Sequence, residues 1–121
     1  ETELISDIGS FEIFRGNRTG FAVQWRNTGT EPMKFTVTGN AVFLIYHRSN
    51  RGNLGSADVY INGEKAMTLD AKDPDGWGEP YSKLLVKSKT VETYDIEIHP
   101  HGSSEEGIFD IYGIAYTRNE K

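Results

Sequence analysis

The residues best suited to bind a ligand lie in the stretch Asp75-Gly76-Trp77-Gly78-Glu79-Pro80-Tyr81, where an indole sits between two glycines. Flanking glycines give an indole little local packing, so Trp77 is expected at a surface, where its face can stack on the apolar C–H face of a sugar ring. Sugar edges need polar partners. Glu79 supplies a carboxylate, Arg48, Asn50 and Arg51 supply guanidinium and amide groups, and Tyr81 is a second ring. The opposite reading, in which Trp77 folds back to cap one end of a core, stays open. Trp25 reads as core, since Phe21, Val23 and Trp25 share one strand parity.

Other constellations carry less chemistry. A hydrolytic serine on an elbow turn reads G-x-S-x-G, which is absent; Ser56 follows Gly55 and enters a strand as an ordinary strand-entry serine. His99-Pro100-His101 with Glu97 could assemble a metal trio, but Pro100 reads as a strand end that leaves two solvated histidines. Asp70, Asp73 and Asp75 have the composition of a calcium loop without EF-hand spacing, and Pro74 with Asp75-Gly76 is equally what a tight turn demands. Nothing selects Glu79 with Asp75 or Asp58 as the paired carboxylates of a glycosidase. No catalytic residue, metal ligand or cofactor is assigned. Asn17-Arg18-Thr19 is a sequon that matters only where the source glycosylates secreted proteins.

Binding residues so scattered need a scaffold that brings separate stretches to one rim. Short alternating segments punctuated by turn residues, with β-branched and aromatic side chains, predict an all-β chain. Strands are expected at 11–14, 20–26, 33–38, 41–47, 56–62, 64–69, 83–87, 93–99 and 108–117. Asn62-Gly63, between two alternating runs, tolerates the positive φ values of a type I′ hairpin turn. In Tyr94-Asp95-Ile96-Glu97-Ile98-His99 the period is two, so Tyr94, Ile96 and Ile98 face a core and the others face water. Segments 41–46 and 108–116 are apolar at both parities, as central strands or strands closing a domain interface are. Residues 48–55 and 70–81 read as the two long loops, and 1–10 and 118–121 as frayed or linker ends. The expected fold is one antiparallel β-sandwich of jelly-roll type, with an immunoglobulin-like strand order as the alternative.

Composition bounds the function. The chain has 121 residues, 36% hydrophobic and 26% charged, enough for one domain with a sizeable core, and no Cys, which excludes disulfides and thiolate chemistry. A formal net charge of -5 opposes nucleic acid and anionic membranes, and neither is an expected partner. The longest uncharged apolar run, Ala41-Val42-Phe43-Leu44-Ile45-Tyr46, has the length of a strand. The chain begins at Glu1 with no basic segment followed by an apolar one, so a signal has been removed or the module was excised from a longer protein; we expect excision.

Four blocks carry a resemblance: 39–48 (Gly-Asn-Ala-Val-Phe-Leu-Ile-Tyr-His-Arg), 55–63 (Gly-Ser-Ala-Asp-Val-Tyr-Ile-Asn-Gly), 75–80 (Asp-Gly-Trp-Gly-Glu-Pro) and 109–116 (Phe-Asp-Ile-Tyr-Gly-Ile-Ala-Tyr). In this order they resemble the N-terminal β-sandwich that precedes the catalytic domain of bacterial SGNH/GDSL-type carbohydrate esterases, over roughly residues 33–117. Asn62 stands where that family often has Asp, which keeps the turn chemistry. The resemblance implies a secreted, non-catalytic module of a polysaccharide-degrading enzyme, because the family's Gly-Asp-Ser-type nucleophile block and late Asp-x-x-His block belong to the following domain and are absent here. Its expected partners are a polysaccharide or oligosaccharide and a catalytic domain in the same parent chain. The alternative is a purely structural domain packed against that catalytic domain, and the block around Trp77 is then an interface.

Overall fold

The computed structural model describes residues 5–15, 23–50, 54–73, 77–102 and 106–118, and their side chains except at 5–6, 13–15, 23–24 and 77–79. Eight strands follow in order: β1 (Ile5–Asp7), β2 (Phe11–Arg15), β3 (Val23–Asn27), β4 (Met33–Ser49), β5 (Ser56–Ile61), β6 (Glu64–Asp70), β7 (Trp77–Pro100) and β8 (Asp110–Thr117). All pairings between them are antiparallel. The strand order is β2-β3-β8-β4-β7-β5-β6, with β1 beside β4.

Two long strands generate the sandwich. The first part of β4 pairs with the last part of β7, from Met33↔Ile98 to Gly39↔Glu92, with β1 on the far side of β4 and the β5–β6 hairpin on the far side of β7. From Ala41 onward β4 pairs with the first part of β7 on one side and with β8 on the other, and β3 and β2 continue that layer. The register slips between Gly39 and Ala41, where the pair passes from one layer to the other. Phe35, Val37, Val59, Ile96 and Ile98 of the first layer meet Val42, Leu44, Phe109 and Ile111 of the second in one core cluster.

Alternation explains most of this. Tyr94, Ile96 and Ile98 are buried as their parity predicts, and Asp95 is exposed. Asn62 and Gly63 have φ of 54° and 87°, the left-handed pair of a type I′ turn, which joins β5 to β6. Segment 41–46, apolar at both parities, is flanked by strands on both sides, and β8 lies between β4 and β3.

Several expected boundaries are corrected. Segments 33–38 and 41–47 are one strand, and 83–87 and 93–99 belong to another that begins at Trp77. Arg48 and Ser49 are therefore strand residues rather than the start of a loop, and Trp77, Glu79 and Tyr81 are not on a loop. Their polar and glycine-rich composition is overridden by the ladder, since Arg48↔Glu79 and Ser49↔Trp77 continue a pairing that satisfies the backbone. The N-terminal stretch is also not wholly frayed, because Ile5 and Asp7 pair with Phe35 and Lys34. Residues 1–4, the sequon Asn17-Arg18-Thr19, Arg51, Asp75 and residues 103–105 and 119–121 lie outside the described residues, and of Phe21 and Val23 no side chain is described.

One buried amide ties the loop before β8 to the core. Asn27 is fully buried; its Nδ2 donates to the carbonyls of Gly102 at 2.8 Å and Gly107 at 3.1 Å, and its Oδ1 accepts the Phe109 N–H at 2.7 Å. Beside it Arg26 donates from Nε and Nη2 to the two oxygens of buried Asp110, each at 2.8 Å. That hydrogen-bonded pairing raises the Arg26 pKa above its ordinary value. Asn27→Ala would leave a buried N–H and two carbonyls unpaired, so we expect a loss of about 2–4 kcal/mol in urea unfolding. A loss below about 1 kcal/mol would show that the loop is held by other contacts.

Candidate functional site

A groove opens where the two layers end in strand edges that no further strand pairs among the described residues. The sequence places Tyr81 and Lys83 at alternate positions of β7, opposite Tyr46 and Leu44 of β4, so both sit on the core-facing side of a strand that no further strand covers among the described residues. The opposing wall is residues 67–70 of β6, the edge of the other layer. Between them lies a groove of about 370 Å³, to which Tyr46, Arg48, Tyr81 and Lys83 contribute.

The end of the groove is tied together by side-chain contacts. The Arg48 guanidinium lies over the Tyr81 ring at 4.0 Å and donates from Nη2 to Asp73 Oδ2 at 2.6 Å. Tyr81 meets Tyr46 edge to face, with centroids 5.7 Å apart, and Tyr46 stacks on Phe109 at 5.1 Å. Burial pushes the Tyr46 phenol up to about 12, so it stays protonated and able to donate. Asp73 is held in turn by its own backbone. Its N–H donates to the Ser49 carbonyl, the Ser49 N–H to that of Ala71, and the Ala71 N–H to that of Gly55.

Of the residues singled out from the sequence, the ladder brings the backbone of 48–49 and 77–81 to one rim. Arg48 and Tyr81 are in direct contact, and Asn50 is exposed just past β4. Trp77 and Glu79 pair through their backbones with Ser49 and Arg48, and their side chains lie outside the described residues, as does all of Arg51. Sequence reasoning missed Lys83 and the β6 wall. The signal for Lys83 was a charge at the parity of Tyr81 and Leu85; for residues 67–70 there was none, because an edge is a property of the whole topology.

The other constellations resolve into local bonds. Ser56 Oγ is 2.7 Å from His101 Nδ1, and His101 Nε2 is 3.1 Å from Asp58 Oδ2, a Ser–His–Asp string on the outer face of β5 and the end of β7. It has the connectivity of a proton relay but lies on a pleated surface, and the neighbouring Gly55 N–H, which could serve an oxyanion, is bonded to the Ile108 carbonyl at 2.8 Å. His99 pairs with Glu97 at 2.7 Å, apart from His101, and no group of three metal-ligating side chains occurs among the described residues. Asp70 accepts the Lys72 N–H at 3.0 Å and Asp73 is engaged by Arg48, so turn and ion pair occupy two of the three aspartates of the calcium-like stretch. Asp58, considered as a glycosidase acid, is bonded to Thr68 and His101 instead.

No family model and no curated protein matches the chain. Its fold recurs as part of carbohydrate-active enzymes. A two-domain esterase (CEX) active on acetylated mannans superposes with a TM-score of 0.76 at 14% identity, over 98% of this chain and 35% of that one. A family two carbohydrate esterase from Cellvibrio japonicus gives 0.59 at 14% identity, over 96% and 33%. Paenibacillus xanthan lyase gives 0.62 at 12% identity, over 95% and 12%. The chain thus spans about a third of each esterase, and at these identities the likeness is one of fold. The neighbours agree with the resemblance to an esterase-associated β-sandwich in fold.

Asp58 provides a test of the outer-face network. Its hydrogen bond from Thr68 at 2.6 Å, then that from His101, lower its pKa from the ordinary 3.8 to about 2. A carboxyl depressed by folding stabilises the protein above its ordinary value and loses that contribution as pH falls through the folded value, so the loss is expected between about pH 4 and pH 2. Urea unfolding of native and Asp58→Asn proteins should give a stability difference that shrinks as pH falls through that window. A difference independent of pH would refute the assigned bonds.

Proposed function

We propose that this chain is a non-catalytic polysaccharide-binding or substrate-positioning module of a secreted bacterial polysaccharide-degrading enzyme, excised from a parent that carries an SGNH-type catalytic domain. The observation that carries the binding part is the groove at the open flank, where Tyr81, pinned by Arg48 and Tyr46, stands with an ammonium and free strand-edge backbone within one volume of about 370 Å³. Fixed aromatic faces beside polar groups suit sugar rings, whose faces are apolar and whose edges are hydroxyls. The accessory part is supported by the fold neighbours, enzymes of which this chain spans only a fraction. By residue type, the proposed surface also takes in Trp77, Glu79, Asn50 and Arg51.

A structural role against a catalytic domain is the second reading, favoured by the exposed apolar side chains Leu84, at 38%, and Tyr116, at 46%, on the same layer as the groove's β7 wall. The two readings separate in one set of measurements on the purified chain. Glycan-array binding should be positive, Tyr81→Ala and Trp77→Ala should each weaken it by about 1–3 kcal/mol, and the melting temperatures should change little. Aryl-ester cleavage should stay at the buffer rate. A Trp77→Ala protein that binds normally but melts far lower would make the indole a core cap; a chain that binds no glycan but associates with an SGNH catalytic domain would establish the structural role.

A further inference from the structure

We infer that the groove takes an uncharged polysaccharide, and that Lys83 acts there as a hydrogen-bond donor to hydroxyls rather than as the counter-ion of an acidic sugar. The inference rests on the glycan-binding reading above and narrows its ligand class. Lys83 lies opposite fully buried Leu44, between Tyr81 and buried Leu85 on the core-facing parity of β7, and contributes directly to the groove. A long stem at such a place covers apolar surface while its ammonium reaches the opening.

The opposing wall offers backbone donors and acceptors. The Ala71 N–H bonds to the Gly55 carbonyl, and in an antiparallel pair bonded and non-bonded positions alternate. Leu69 with Ala57 and Met67 with Val59 therefore exchange backbone bonds, whereas Thr68 and Asp70 turn their N–H and C=O groups away from β5, toward the groove that both residues line. The Thr68 side chain is committed to Asp58 on the outer face, which leaves the backbone as its contribution.

Charge points the same way. Arg48 is compensated by Asp73 at 2.6 Å, and the other ionic residues lining the groove among those described are one cation, Lys83, and one anion, Asp70. The chain as a whole carries a formal net charge of -5. A uronate chain approaching this surface meets repulsion at long range and no net attraction at the groove, whereas a neutral sugar exchanges water for fixed amides, carbonyls and one ammonium.

The test is calorimetric titration of the native chain with β-linked hexasaccharides of mannose, xylose and glucose and with hexagalacturonate, at about 25 and about 300 mM NaCl. At least one neutral hexasaccharide should bind, with an affinity that changes less than about twofold with salt, and hexagalacturonate should not. Lys83→Gln keeps N–H donors without the charge and should bind within about threefold of native, while Lys83→Leu should lose at least about tenfold, both with native melting temperature. Tighter binding of hexagalacturonate, weakened by salt and abolished in both variants, would overturn the inference and leave the polysaccharide reading standing. Absence of binding by every oligosaccharide to folded protein would overturn that reading together with the inference.

Discussion

The structure depends on a buried amide that must find three backbone partners at once. Asn27, at the end of β3, can be desolvated only because the carbonyls of Gly102 and Gly107 and the N–H of Phe109 converge on it. That convergence demands an unusually close chain crossing. A Cβ on Gly55 would lie 2.5 Å from the Cα of Gly107, which itself has φ of +98°, so no other residue fits at either place without moving backbone. The Gly55 N–H then bonds to the Ile108 carbonyl, which fixes where β5 begins relative to β8.

From this crossing the order passes to the groove by two routes. One is apolar: Phe109, whose N–H is held by Asn27, stacks on Tyr46, which meets Tyr81. The other is polar: the Gly55 carbonyl holds Ala71, Ala71 holds Ser49, Ser49 holds Asp73, and Asp73 holds Arg48 over the same Tyr81 ring. A ring approached from two sides by groups fixed in this way has little conformational freedom left to lose when a ligand arrives, which is the physical meaning of preorganisation here.

The sequence was informative where the signal is local and silent where it is collective. The hairpin at Asn62-Gly63 and the core face of Tyr94, Ile96 and Ile98 follow from turn chemistry and a period of two, properties of a few consecutive residues. The union of short apolar runs into β4 and β7 was hidden because Gly39-Asn40 and the polar 88–92 stretch look like breaks, yet pairing across the bend compensates their poor strand propensity. For the same reason Arg48 and Tyr81 could be named as neighbours on a rim but not as a stacked pair. Asn27, the most constrained residue, carried no signal, since a buried Asn and a strand-end Asn read alike until the topology brings Gly102, Gly107 and Phe109 to it.

The open flank raises a last physical question, because two strand edges that no further strand pairs among the described residues invite another strand to close the sandwich. The β7 edge carries the devices that discourage this. Pro80 is exposed and lacks an N–H, the register slips between Val42 and Phe43 opposite Val86 and Leu84, and Lys83 sets a charge on the core-facing side. An added strand would have to bury that ammonium, whereas a hydrated ligand need only exchange some of its water. The feature that keeps the edge from pairing with peptide is thus the same one that keeps the groove polar, and a flank that resists a strand remains available to a sugar.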